Sequence, residues 1–239
     1  MVLQERKKLA EELSRRFKRS EPEEIIRYFL TEFPGKVAVS SSMSAEDQVI
    51  THMAVGVDPQ VEVFTLDTGR LFPETYDLIQ RTNEHFGIRV RIFFPDHEEV
   101  EEMVNSKGVN LFYESEANRK LCCEVRKLRP LARALRPLDA WICGLRTEQS
   151  VTRIFTQHVE WDEKHGLIKV NPLAEWLEKD VWAYIRKHDI PYNPLHDRNY
   201  PSIGCQPCTR AVNPGEDIRS GRWWWETPEK KECGLHIKK

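Results

Sequence analysis

Little in this chain is lopsided, and each missing feature removes a class of function. Lys and Arg number 36 against 38 Asp and Glu, leaving a formal net charge of −2. No global basic field points to nucleic acid or to an anionic membrane surface. No apolar run approaches the ~20 residues of a membrane span. Repeats and low-complexity segments are absent, and so is the G-x-x-x-x-G-K-[ST] phosphate loop. The opening MVLQERKKLAEELSRRFKR has no signal-type hydrophobic region. Its Glu5, Glu11 and Glu12 argue against an acidic-poor transit peptide, so an exposed amphipathic helix and a cytoplasmic location are expected. What remains is 239 residues, 40% hydrophobic and 31% charged, which suits one packed domain with or without an extension.

Six cysteines stand out against this background. Cys122 and Cys123 are adjacent in RKLCCEVRK, Cys205 and Cys208 form C-x-x-C in SIGCQPCTR, and Cys233 lies in the basic segment KKECGLHIKK. In a reducing compartment such thiols stay available for metal. Cys143, in the apolar segment AWICGL, reads instead as a small buried hydrophobe. C-x-x-C is shared by zinc sites, iron–sulfur sites and redox dithiols. Zinc sites usually pair two spaced hooks, which a vicinal pair fits poorly. A cubane cluster is wider, so two neighbouring thiolates at a helix end can reach different irons. The spacing therefore favours [4Fe–4S] over zinc, with Cys122, Cys123, Cys205 and Cys208 as a full four-thiolate set. Arg126 and Lys127 follow the tandem pair by one helical turn, where they offset cluster charge or reach an anionic substrate. Lys230, Lys231 and His236 favour the thiolate of Cys233.

The rest of the chain reads as alternating helices and strands. Helices are expected at 3–18 and 22–33, the second with Pro22 in its first turn. Strands are expected at 36–41, 61–67, 89–94 and 139–145, with a helix running from Pro73 to Phe86. The stretch between the third and fourth strands is mostly helical. Segments 156–161 and 167–173 form a late hairpin or added strands, and 177–189 is a helix stopped before Pro191. This alternation predicts an α/β fold with a mostly parallel central sheet flanked by helices. Residues 1–209 are expected as a single nucleotide-binding domain, and 210–239 as an irregular, mobile tail carrying Cys233.

Ligands of parallel α/β sheets bind beyond the carboxyl ends of the strands. Three polar loops are expected to converge there. The first, Ser40 to Asp47, offers hydroxyls and helix N-terminal N–H groups to an anion. The second, Leu66, Asp67, Thr68, Gly69 and Arg70, provides a tight turn and backbone for an adenine edge. The third begins at Gly144 and brings Arg146 and Arg153, whose forks suit phosphate or sulfate. The segment GRWWWE reads as an aromatic anchor for the tail rather than a docking face.

Assembled, the motifs SSMSAED, LDTGRLFPETY, CCEVRKLRPL, GLRTEQSVTR, SIGCQPCTRAV, GRWWWE and KECGLH resemble the thioredoxin-dependent assimilatory adenylyl-sulfate reductases, a branch of the phosphoadenylyl-sulfate reductase family. The likeness runs from about residue 36 onward. It implies an adenine-nucleotide α-hydrolase-like fold and reduction of adenosine 5′-phosphosulfate (APS) to sulfite and AMP. The reaction passes through an S-sulfocysteine that thioredoxin resolves, in sulfate assimilation for cysteine biosynthesis. Family members that use the 3′-phosphorylated substrate (PAPS) commonly lack the two cysteine pairs. The resemblance makes Cys233 the nucleophile and Cys122, Cys123, Cys205 and Cys208 the ligands of a [4Fe–4S] cluster. It places Ser41, Ser42, Glu46 and Asp47 in the substrate loop and Leu66, Asp67, Thr68 and Gly69 at the adenosine. It sets Lys127, Arg219, Arg222 and His236 around the sulfate, with Gly144, Arg146 and Arg153 in the arginine loop. Ser44 departs from the family's usual glycine. Thioredoxin is the expected partner, nucleic acid and membrane are not, and a homo-oligomer is compatible with the sequence.

Overall fold

The computed structural model describes residues 3–150 and 153–227. Six strands form one sheet: β1 (Val37–Ser40), β2 (Glu62–Leu66), β3 (Arg91–Phe93), β4 (Ala140–Ile142), β5 (Val159–Asp162) and β6 (Leu167–Val170). Their order is β3-β2-β1-β4-β6-β5. β1 runs parallel to β2 and to β4, and β4 runs parallel to β6. β5 is antiparallel to β6. The late segments are thus a hairpin and added strands at once, because β6 docks on β4 while β5 takes the edge.

The helices among the described residues are α1 (Leu3–Arg16), α2 (Pro22–Glu32), α3 (Ala45–Val57), α4 (Pro73–Phe86), α5 (His97–Lys107), α6 (Glu116–Cys123), α7 (Arg129–Leu135) and α8 (Glu178–His188). The expected mostly parallel sheet flanked by helices is what forms. β4 is buried along its length and β1 from Val37 to Val39, as parallel strands covered on both faces must be. β3 is shorter than expected, because Phe94 is exposed and Pro95 has no N–H for a ladder. α8 stops at Asp189, whose left-handed φ of 50° turns the chain before Pro191. No helix among the described residues is long and apolar enough to cross a membrane.

The chain divides into two compact units. The first holds Met1–Thr65, Asp77–Arg91 and Leu135–Asn193, and the second Leu66–Tyr76, Ile92–Ala134 and Pro194–Lys239. The first is built on an aliphatic core that includes Ile25, Val39, Ile50, Ile142 and Val170. The second has a smaller core of Met103, Leu111, Phe112, Val125, Cys208 and Trp223. In the sheet order, the chain steps from β1 outward through β2 and β3, then returns to start β4 on the other side of β1. The carboxyl ends of β1 and β4 therefore flank a topological switch point, the usual ligand position in open α/β sheets.

Candidate active site

At the switch point, in the first unit, β1 delivers Ser41 and Ser42 and then enters α3 through Met43 and Ser44. Met43 is buried with φ of 61°, a left-handed conformation uncommon for a non-glycine side chain. Ser44 caps α3, its hydroxyl accepting from the Asp47 N–H at 3.4 Å. The backbone there has φ of −78°, which needs no glycine. Asp47 gathers the loop. Its Oδ2 accepts from the Ser42 N–H at 2.6 Å and the Ser42 hydroxyl at 2.7 Å, and its Oδ1 accepts from the Gly144 N–H at 3.1 Å. The loops after β1 and β4 are thereby joined through one carboxylate. Burial pushes the Asp47 carboxyl up from its ordinary value, against the pull of Ser42.

A second carboxylate braces the same loops. Arg146 donates from Nε and Nη2 to Glu46 Oε1 at 2.9 Å each, and from Nη1 to Glu148 Oε2 at 2.8 Å. Gln149 Nε2 adds a donor to Glu46 at 2.9 Å. Burial alone would raise Glu46, but the Arg146 guanidinium wins and holds it below its ordinary value. Arg153 Nη1 donates to Gln149 Oε1 at 2.5 Å. Gly144 is needed by contact, since a Cβ there would stand 2.5 Å from Asp47 Oδ1 and 2.8 Å from Glu46 Cβ.

The second unit carries the thiols. α6 starts at Ser115, whose hydroxyl accepts the Asn118 N–H at 3.1 Å, and puts Cys122 and Cys123 in its last turn. A wide π turn, Glu124–Leu128, follows directly and holds Arg126 and Lys127. Such turns inside helices often mark functional sites. Cys205 and Cys208 flank a single 3₁₀ turn with Pro207 inside it. All four thiols line one cavity, with Arg70, Arg119, Arg126, Lys127, Arg222 and Trp223 among its other walls. Burial would raise Cys205, but Lys127, the Thr68 hydroxyl at 3.3 Å and Arg222 bring it below its ordinary value. Burial pushes Cys208 up to about 12, helped by Cys205. Among the described residues, no three of His, Cys, Asp and Glu form a shell for a single metal ion. The donors nonetheless suit a wider anionic group. Arg126 Nε, Arg222 Nε and Trp223 Nε1 line the thiol cavity, are buried, and have no hydrogen-bond acceptor among the described residues.

The loop after β2 lies in the same unit. Asp67 closes an Asx turn, accepting the Gly69 N–H at 2.7 Å, while Gly69 takes φ of 69°. The Tyr76 hydroxyl donates to Asp67 Oδ1 at 3.0 Å. Arg126 Nη1 donates to the Thr68 carbonyl at 2.7 Å, and the Leu66 segment is tied by Asp67 N–H to the Phe93 carbonyl at 3.0 Å. This turn, the thiol of Cys205 and the π turn are thus directly linked.

Residues 210–227 form turns that are pinned in place. The Arg210 N–H meets the Gly221 carbonyl at 3.0 Å, and the Trp223 N–H meets the Cys208 carbonyl at 3.1 Å. Trp223 is buried, as an anchor should be, while Trp224 is exposed. Arg219 is half-buried, its N–H donating to Asp217 Oδ1 at 2.8 Å. Cys233 and His236 lie outside the described residues. Three residues of the second unit escaped the sequence reading. Gly204 has no room for a Cβ, which would stand 2.3 Å from Arg222 Nη2. Arg119 and Glu226 form a buried ion pair. Only the place of Arg119, one turn before the tandem cysteines, offered a signal; Glu226 offered none.

Residues 36–211 match the family described as "Phosphoadenosine phosphosulfate reductase domain". The chain is 52% identical over 202 residues to adenosine 5′-phosphosulfate reductase of Burkholderia cepacia, spanning 84% of this chain and 81% of the relative. It is also 52% identical over 200 residues to the protein of that name from Allochromatium vinosum, spanning 84% and 78%. Among solved structures, phosphoadenylyl-sulfate (PAPS) reductase from Candida auris in a phosphate complex superposes with a TM-score of 0.72 at 29% identity, covering 85% of this chain and 96% of that one. Yeast FAD synthetase superposes with a TM-score of 0.55 at 13% identity over 90% and 78% of the two chains, which speaks to the fold alone.

Proposed function

The chain belongs to the phosphoadenosine phosphosulfate reductase domain family, and from that membership we propose that it reduces adenosine 5′-phosphosulfate to sulfite and AMP with thioredoxin as reductant. The observation that carries this reading is the set of four thiols around one cavity, with Lys127 and Arg222 beside them. The identity to proteins named for adenosine 5′-phosphosulfate supports the substrate without a 3′-phosphate. Sulfate assimilation toward cysteine is the corresponding role, and the cytoplasm the corresponding compartment.

In this reading Cys122, Cys123, Cys205 and Cys208 hold a [4Fe–4S] cluster. When bound, the cluster supplies fixed charge and a covalent tie between the two cysteine pairs. The chain's own residues do the rest. Ser41 and Ser42, set by Asp47, receive the nucleotide's phosphate, with Glu46 fixing Arg146, and Gly144 and Arg153 completing the arginine loop. Leu66 to Gly69 receive the adenosine. Lys127, Arg219, Arg222 and His236 screen the sulfate, so that an anionic nucleophile can approach a dianionic group. The residues 1–209 form the nucleotide-binding body, and 210–239 bring the nucleophile.

The thiolate of Cys233 attacks the sulfur of the substrate. The sulfur–oxygen bond breaks, and AMP leaves with the electron pair. Cys233 then carries a sulfonate group on its own sulfur. A thioredoxin thiolate attacks that Cys233 sulfur, and sulfite leaves with the pair. The resulting mixed disulfide is opened by thioredoxin's second thiolate, which returns Cys233 as a thiolate and leaves thioredoxin oxidised. The two electrons come from the dithiol.

The test is sulfite release by anaerobically purified protein with reduced thioredoxin, offering APS and PAPS in parallel. Turnover on APS alone is expected. Turnover on PAPS, alone or equally, overturns the substrate assignment. Sulfite release by Cys233→Ser at the parent rate overturns the nucleophile.

A further inference from the structure

Arg119 lies on α6, one turn before Cys122 and Cys123. Its side chain is 1% exposed, and that of its partner Glu226 is 6% exposed. The pair is bidentate, with Arg119 Nε donating to Glu226 Oε1 at 2.9 Å and Nη2 donating to Oε2 at 2.7 Å. The same guanidinium lies beside Cys123, with which it lines one cavity. It also lies over the Trp223 ring, 4.8 Å from the centroid, and Arg222 lies 4.7 Å from that centroid. One side chain therefore touches a cysteine of the tandem pair, the tryptophan that anchors the segment, and the carboxylate at that segment's end.

A buried ion pair is weak as a stabilising device, because desolvation consumes most of its attraction; fixing geometry is its better use. Glu226 stands about seven residues before Cys233 in the sequence. Seven extended residues span at most roughly 25 Å. Fixing residue 226 therefore limits the space in which the Cys233 thiol can be delivered.

We infer that Arg119 and Glu226 are positioning residues, which fix the root of the segment bearing Cys233 to the helix bearing Cys122 and Cys123 and so govern where Cys233 is presented. The inference rests on the reading of Cys233 as nucleophile. The fork between Arg119 and Glu226 is charged on both sides, and such charge-assisted bonds are the strong ones.

The experiment follows alkylation of Cys233 by iodoacetamide, read by mass spectrometry, in the iron-loaded protein with and without AMP. In the parent, AMP slows the alkylation. In Glu226→Gln, iron content and AMP affinity are retained, and alkylation with AMP returns to the rate without it. The kcat falls by about 10²-fold, the loss typical of misplaced groups, with KM unchanged. Parent-like protection and kcat in Glu226→Gln overturn the inference. If Glu226→Gln loses iron, Arg119→Lys decides, because it keeps the charge beside Cys123 and removes only the fork. Protection lost in Arg119→Lys supports the inference, and protection kept overturns it. Failure of the underlying reading shows separately, as sulfite release by Cys233→Ser.

Discussion

Replacing Gly144 with alanine adds one methyl group at the junction of the two loops that flank the switch point. The backbone there is not left-handed, so alanine meets no conformational barrier. By restricting the unfolded chain it would even stabilise the protein by ~0.4–1 kcal/mol. Contact reverses the sign. The new Cβ would lie 2.5 Å from Asp47 Oδ1, 2.8 Å from Glu46 Cβ and 3.2 Å from the Asp47 nitrogen. None of these can yield cheaply, since Asp47 is held by Ser42 and Glu46 by Arg146 and Gln149. Overpacking of this kind costs ~1–3 kcal/mol. Pushing Asp47 aside also loses the Gly144 N–H donor to a carboxylate, a further ~1.5–3 kcal/mol. The net expectation is about 2–5 kcal/mol of destabilisation. In a chain of this length each kcal/mol lowers Tm by roughly 2–4 °C. Because Asp47 also sets Ser42, AMP affinity should fall in the folded variant. Thermal unfolding and calorimetric titration with AMP measure both. A variant that melts with the parent and holds AMP equally well would refute the steric argument and the coupling of the two loops.

Three further outcomes are expected. Gly204→Ala forces the Arg222 guanidinium away, because its Cζ and Nη2 lie 2.6 and 2.3 Å from the added Cβ; sulfite release should drop by at least about tenfold with the fold retained, and an unchanged rate would count against Arg222 at the sulfate. Glu46 is held below its ordinary 4.5 against the opposing effect of burial, so its contribution is present above that value and is lost as pH falls through the depressed one. Glu46→Gln should therefore be less stable than the parent by about 3–5 kcal/mol at pH 7, with the gap closing on acidification below pH 4.5 in urea titrations; a gap independent of pH would contradict the assignment. Cys143 is pushed by burial to about 12 and its Sγ donates to Asn171 Oδ1 at 3.1 Å, so iodoacetamide at pH 8 should leave it unmodified until the protein unfolds, and labelling of the native state would disprove its burial.

The parallel part of the sheet was legible because its strands are short β-branched or apolar runs separated by helices, one with a clear start at Pro73. The cysteine pairs were legible as chemistry from spacing alone. Their meeting was legible too, since two pairs supply the four thiolates of one centre, and all four line one cavity; the place of Arg119 and Trp223 beside them was not, because nothing local to CC or C-x-x-C encodes which distant segment each faces. Arg146 shows the same limit. Read along the chain, it is an available guanidinium beyond a strand. In the fold its fork is occupied by Glu46, about 100 residues upstream, and by Glu148, so its contribution to the site runs through bracing. The π turn at Glu124–Leu128 was not read either, since EVRKL itself contains neither glycine nor proline; its one mark is Pro130, which has no N–H for the Arg126 carbonyl. Of the tryptophan triplet expected to anchor the tail, Trp223 is buried and Trp224 exposed; the companions of Trp223, Arg119 and Glu226, stand 107 positions apart, beyond the reach of any periodicity argument.

The second compact unit is discontinuous in sequence, and the segment Leu135–Asn193 of the first unit separates its tandem cysteines from its C-x-x-C. During synthesis this order imposes a wait. About 85 residues must be added after Cys123 before Cys208 exists, which at ~5–20 residues per second takes roughly 4–17 s. Throughout that interval the nascent chain carries a vicinal dithiol whose eventual neighbours are still untranslated. The availability of reductant near the ribosome during that interval would therefore bear on the yield of correctly assembled protein.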